Sequence, residues 1–252
     1  MNIGFTTTSF RQIRDREKIV IIARDCGADI VEWGGDIHVK SVADAVNAKA
    51  MCDAARVGIS SYGSYYRVGS GKTDDWKAVC EIAAAMGCGS VRVWLGKKDS
   101  QKTDEAAYRA LVEDARRCCE TAAGYGLNVC CECHDHTFNN DTDAFLRIQK
   151  DVEKDNFRTY FQSRYRRRDY DMDRIARTMP FIESVHISYS EQRREQFPRY
   201  DGAYLDALLD RLFACGFDGN LLLEYTYLCG YWGIPSAMKK DMEKIRKRVE
   251  AR

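Results

Sequence analysis

The sequence predicts a single (β/α)8 barrel filling residues 1–252, and three observations lead there. Eight short β-rich runs alternate with longer amphipathic, charged segments, at intervals of about 25 to 38 residues. Glycines stand where helices should stop: Gly27, Gly58, Gly87, Gly126 and Gly216 each follow a helical pattern and precede or open a β-rich run. The first run continues into Thr6-Thr7-Thr8-Ser9 rather than a Gly-rich turn, so the competing doubly wound sheet lacks its phosphate-binding loop.

The eight strands are expected at Asn2–Thr6, Asp29–Trp33, Gly58–Tyr62, Ser90–Trp94, Leu127–Glu132, Phe157–Gln162, Ile182–Ser188 and Gly219–Glu224. The helical patterns fit the gaps. Thr103–Tyr125 sets Ala, Leu and Val on one side against Glu, Asp and Arg on the other, and Lys72–Met86 and Tyr204–Cys215 behave alike. No composition break or low-complexity linker marks a second domain.

With 252 residues, of which 45% are hydrophobic, the chain can bury a large core, and disorder is excluded as its main state. The balance of 39 Lys and Arg against 38 Asp and Glu offers no bulk field for nucleic acid or anionic lipid, so neither is expected as a partner. The opening MNIGFTTTSF carries no charged leader, and no run of about 18 apolar residues follows, which predicts a soluble cytoplasmic protein. Eleven cysteines, an odd number without a secretory leader, read as reduced thiols serving as small core residues.

In such a barrel the chemistry sits where the strands end. The second expected strand runs into Glu32-Trp33-Gly34-Gly35-Asp36-Ile37-His38 and the fifth into Glu132-Cys133-His134-Asp135-His136; the sixth ends at Gln162, the seventh reaches His186 and the eighth ends at Glu224. All four histidines therefore fall at or just past strand ends. Alternation along a strand puts Cys130, Glu132 and His134 on one side and Cys131 and Cys133 on the other, so the Cys-Cys-Glu-Cys run makes a poor thiolate chelate. Glu132, Gln162, His186 and Glu224, from four consecutive strands, can bring two carboxylates, an amide oxygen and an imidazole to one centre. That oxygen-rich set suits one divalent ion, Mn²⁺, Mg²⁺ or Co²⁺ ahead of Zn²⁺.

At these residues the sequence resembles the xylose isomerase-like barrel superfamily, which holds sugar phosphate isomerases and epimerases, ketose 3-epimerases, hydroxypyruvate isomerase, inosose dehydratase and endonuclease IV. The resemblance spans essentially the whole chain and rests on Ile3-Gly4-Phe5, on the run from Asp29 to His38, on Cys131-Glu132-Cys133-His134, on Val185-His186-Ile187 and on Leu223-Glu224. It implies Glu132, His186 and Glu224 as metal ligands; the fourth position, commonly Asp, is Gln162 here, and a neutral amide weakens the pull on a cation. It also implies proton transfer through an enediolate, with Glu132 and Glu224 on opposite faces as the catalytic pair. His134 is then a contact to a substrate hydroxyl or to a ligand, and His38 belongs to the far rim.

Aromatic residues at the strand ends, Trp33, Tyr62, Tyr65, Tyr66, Trp94, Phe138, Tyr189 and Trp232, either bind sugar faces or close the barrel top. The arginine run from Arg164 to Arg168 either clamps a phosphate or carboxylate or pairs with Asp169, Asp171 and Asp173; Arg194 falls where relatives place a substrate contact. Arg92 is expected to enter the barrel and pair with Glu32. The expected activity is a metal-dependent isomerase or epimerase of a sugar, sugar phosphate or keto-polyol. A keto-polyol dehydratase and a non-catalytic sugar-binding barrel are the alternatives, and a homo-oligomer is compatible with all three. Endonuclease chemistry is disfavoured, since Tyr62 and Trp94 end the strands where its further ligands would be needed.

Overall fold

The computed structural model describes residues 1–163, 167–188, 203–225 and 234–252. Eight parallel strands close in chain order into a barrel: β1 (Asn2–Thr6), β2 (Ile30–Gly34), β3 (Gly58–Val68), β4 (Ser90–Leu95), β5 (Asn128–Glu132), β6 (Phe157–Gln162), β7 (Ile182–Ile187) and β8 (Asn220–Leu223). Closure comes from β8 pairing with β1, Phe5 opposite Leu223. The helices are α1 (Arg16–Cys26), α2 (Val42–Ala55), α3 (Thr73–Met86), α4 (Glu105–Ala123), α5 (Thr142–Val152), α6 (Arg168–Thr178), α7 (Tyr204–Ala214) and α8 (Ile234–Glu250). Among the described residues no helix is long and apolar enough to cross a membrane.

The expected strands and helices fall within a few residues of the observed ones, with two corrections. β3 runs six residues past Tyr62, because after a break in register its far end pairs again with β4, Arg67 opposite Trp94 and Val68 opposite Leu95. Gly58 does not end a helix. It opens β3, and α2 is stopped by Arg56 in the left-handed region at φ 56°, with its N–H on the carbonyls of Asp53 and Cys52. Gly27, Gly87, Gly126 and Gly216 do hold positive φ where expected. Helix starts are capped by short polar side chains, Asp15 on α1, Ser41 on α2, Asp104 on α4 and Asp141 on α5, each accepting backbone N–H groups that the first turn leaves unpaired.

Alternation along the strands divides the core in two. A small inner cluster, Ile30, Cys130, Tyr160 and Leu222, plugs the barrel. The neighbouring residues Val31, Cys131, Phe161, Leu221 and Leu223 face outward into the main core between strands and helices. Two residues further along each inward row stand Glu32, Glu132, Gln162 and Glu224, so the apolar plug forms the floor of the polar mouth. The ten described cysteines form no disulfide, and nine of them are buried. Burial pushes the thiols of Cys26 and Cys52 up to about 11 and that of Cys131 to about 12, so these stay protonated and act as apolar packing.

Gly4 marks the tightest point of this packing, since a Cβ there would lie 1.8 Å from the backbone oxygen of Ile30 on the paired strand. Gly4→Ala is expected to cost about 3 kcal/mol or more, or to prevent folding, because backbone cannot step aside as a side chain can. Urea unfolding followed by circular dichroism checks this.

Candidate metal centre and active site

The inward rows of β2, β4, β5, β7 and the end of β8 bring five ionisable groups together. Glu32, Arg92, Glu132, His186 and Glu224 are all at least nine-tenths buried. Arg92 lies between two carboxylates: its Nη1 donates to Glu132 Oε2 at 2.6 Å, and its Nε is 3.4 Å from Glu32 Oε1. The expected pairing with Glu32 is present, and the stronger contact is to Glu132. Trp94 Nε1 donates to the same Glu132 oxygen.

His186 stands at the centre. Its Nδ1 is 3.2 Å from Glu132 Oε1 and 3.8 Å from Glu224 Oε2, while its Nε2 is 3.4 Å from Glu32 Oε1. Tyr160 packs edge-on against the ring at 5.1 Å and fixes its plane. Ser61 Oγ donates to the second oxygen of Glu32 at 2.9 Å. Gln162 Nε2 donates to Glu224 Oε2 at 2.8 Å, and Thr8 Oγ1 approaches Glu224 Oε1 at 3.5 Å.

Electrostatics separates the two mouth carboxylates. Burial opposes ionisation of Glu132, but Arg92 and His186 overcome it and hold the carboxyl well below the usual range. Among the described residues Glu224 has no direct guanidinium contact; burial, with Glu132 and Glu32 nearby, pushes it up against the pull of His186 and Arg92. Burial disfavours a charged His186, yet Glu32 and Glu224 with the Glu132 hydrogen bond raise it to about 10. One ionised and one protonation-prone carboxylate meet at one nitrogen of a single imidazole, a division of labour suited to an acid and a base.

The sequence model of xylose isomerase-like TIM barrels matches residues 20–248. The chain belongs to that family. No curated protein matches the sequence. Similar solved folds include the probable 3-DHS dehydratase of petrobactin synthesis from Bacillus anthracis, 16% identical with TM-score 0.79 over 98% of this chain and 99% of that one. An L-ribulose 3-epimerase is 15% identical, with TM-score 0.79 over 99% and 95%. A 3-keto-D-glucoside 4-epimerase from E. coli is 15% identical, with TM-score 0.76 over 98% and 99%.

In this xylose isomerase-like barrel the donor set fits a divalent ion. One ligand atom each from Glu132, His186 and Glu224 lies within 4.8 Å of the others, all three residues buried. His186 Nδ1 faces the two carboxylates, and Nε2 is buried without a well-formed hydrogen bond, leaving Glu32 as its neighbour. Gln162 borders the set with its amide nitrogen turned to Glu224, so it adds no negative charge.

Other expected site residues sit elsewhere. Trp33, Tyr62 and His38 do not reach the mouth. With Glu32 and Ser61 facing in, Trp33 and Tyr62 must face out into the main core; Tyr62 donates to Val39 O, and the His38 ring is 1% exposed with Nε2 against Ile13 O. His134 is half-buried at the mouth, stacked 5.1 Å from Trp94. His136 is exposed. Arg164, Arg194, Tyr189 and Trp232 lie outside the described residues. Sequence reasoning missed Thr8, Ser61 and Tyr160 as supports. Their signal was inward parity with Glu32 and Gln162 and, for Thr8, position just past β1.

Two outcomes follow for the metal-free protein. Glu32→Gln removes the charge that orients and polarises His186, and should weaken Mn²⁺ binding about 10- to 100-fold by calorimetric titration. Because His186 holds its proton up to about pH 10, a metal at its ring must displace that proton at neutral pH, so affinity rises with pH. Titrations in buffers of different ionisation enthalpy should show about one proton or more released per ion.

Proposed function

We propose that this protein isomerises or epimerises a ketose or related keto-polyol, using Glu132 and Glu224 as the proton-transfer pair. The observation that carries this reading is the opposed protonation tendency of two buried carboxylates that both face His186 Nδ1, at the strand ends of a barrel of this family. Neighbouring folds that are epimerases and a dehydratase support the same class of chemistry.

Glu132, His186 and Glu224, with Gln162 beside them, would hold one divalent ion, Mn²⁺, Mg²⁺, Co²⁺ or Zn²⁺. When bound, such an ion supplies Lewis acidity that makes a proton next to a carbonyl easier to remove. The chain's own residues do the rest. Glu132, kept ionised by Arg92, accepts the proton, and Glu224 returns one to the opposite face for epimerisation or to the neighbouring carbon for isomerisation. Arg92 and Trp94 hold Glu132 through one oxygen, while the other faces His186 Nδ1 at 3.2 Å. Trp94 and the stacked His134 form one wall of the mouth and limit water around the intermediate.

A second outcome of the same geometry is loss of a hydroxyl. If Glu224 delivers its proton to a leaving oxygen instead of to carbon, the product is dehydrated, as the dehydratase among the similar folds performs on its own substrate class.

The test is a panel of ketoses, ketose phosphates and cyclic keto-polyols incubated in D2O with Mn²⁺-loaded protein and followed by NMR. Deuterium should enter beside the carbonyl, with an epimer or aldose appearing. Glu132→Gln and Glu224→Gln should each lower turnover at least about 100-fold. A dehydrated product moves the assignment to a lyase; exchange with no substrate, despite bound metal, leaves a binding barrel.

A further inference from the structure

Beside the mouth, a cleft of about 410 Å³ opens between the β3–α3 connection, the β4–α4 connection and α4. Four cationic side chains line it, Arg67, Lys72, Lys97 and Lys98, over an apolar floor that includes Leu111 and Phe138. No Asp or Glu does so among the described residues. Asp114, which meets the lining at Gly69, is already engaged: one oxygen accepts the Gly69 N–H and the other pairs with Arg117. Lys72 reaches Asp75 at 3.2 Å in an exposed pair, whereas Lys97 and Lys98 make no ion pair among the described residues.

Arg67 is the unusual member. Its side chain is half-buried, with the guanidinium 4.2 Å above the Trp94 ring and Nη1 donating to Gly96 O at 2.7 Å. It has no carboxylate partner among the described residues. A guanidinium carries five donors, so the stacked, oriented fork keeps several of them for an incoming group. Burial disfavours its charge, and among the described residues no neighbouring acid offsets that cost. Gly96, at φ 65°, donates to Val68 O and binds the two connections together, which holds Arg67 and the two lysines around one space.

We propose that this cleft binds an anionic group, a phosphate or carboxylate carried on a small organic body, with Arg67 as its fixed donor. An anion there completes the coordination of a guanidinium that has no counter-charge among the described residues, and the apolar floor accepts the body that carries it. Trp94 joins the cleft to the mouth: its ring lies under Arg67 while its Nε1 holds Glu132. If the function proposed above holds, the anion belongs to the substrate, which is then a keto compound bearing phosphate or carboxylate away from its carbonyl. That last step rests on the functional reading; the anion site itself does not.

The experiment uses metal-free full-length protein titrated calorimetrically with inorganic phosphate and, separately, with malonate. Saturable binding of either, with a Kd of about 10 mM or below and weaker at higher NaCl, is expected. Arg67→Met should weaken it at least about tenfold, and Arg67→Lys less, since charge remains without the fork. The preferred probe tells phosphate from carboxylate. No binding of either probe, or binding undiminished in Arg67→Met, overturns the proposal. Should Arg67→Met fail to fold, the exposed pair Lys97→Ala/Lys98→Ala decides, with at least about threefold weakening expected and no change overturning it. Neither metal nor turnover enters the measurement. A protein that binds phosphate through Arg67 but exchanges no deuterium keeps this site and loses the function above; an active protein that binds neither anion does the reverse.

Discussion

A guanidinium buried between two carboxylates governs the barrel mouth. Arg92 touches Glu132 and Glu32 at once, and through them His186, whose two nitrogens face those acids on opposite sides of its ring. Burying such groups is expensive, and well-packed apolar residues in their place would hold a barrel together as well or better. The arrangement therefore makes sense as orientation and charge control rather than as a source of stability. Removing Arg92 alone would leave uncompensated acids under the site, so the five groups stand or fall as a set.

The same interaction explains why two chemically identical side chains behave differently. Glu132 has a guanidinium and an indole N–H on one oxygen, while among the described residues Glu224 has an amide, a distant hydroxyl and the longer approach of His186. Family resemblance implies an acid where Gln162 stands. With an amide there, Glu224 gains a donor instead of a repelling neighbour, and the mouth carries one negative charge fewer to attract a cation. The ion's affinity thus leans more heavily on Glu132, His186 and the Glu32 behind it.

Much of the fold was legible from residue patterns, because strand propensity, helix amphipathicity and helix-ending glycines agreed along the chain. The acids, amide and imidazole of the mouth were legible too, since each ends or nearly ends a strand. Arg92's grip on Glu132 was not, because it links side chains whose approach depends on barrel closure and strand tilt. Trp33 and Tyr62 were misplaced for want of parity: once Glu32 faces in, its neighbour must face out. Arg56 in a left-handed cap was hidden because such a position usually announces itself as glycine. The extension of β3 to Arg67 was hidden by the register break that precedes it.

Closure of the barrel by β1 and β8 also bears on when the site comes into being. Thr8, just past the first strand, meets Glu224, just past the last, and these positions are separated by 216 residues. During synthesis a chain that has made Glu132 and even His186 still lacks both the second acid and the strand that seals the interior. Its inward row of charges faces water or other surfaces until β8 arrives. The mouth of this protein therefore cannot be assembled before β8 is made, and until then the open barrel presents an unpaired strand edge on each side.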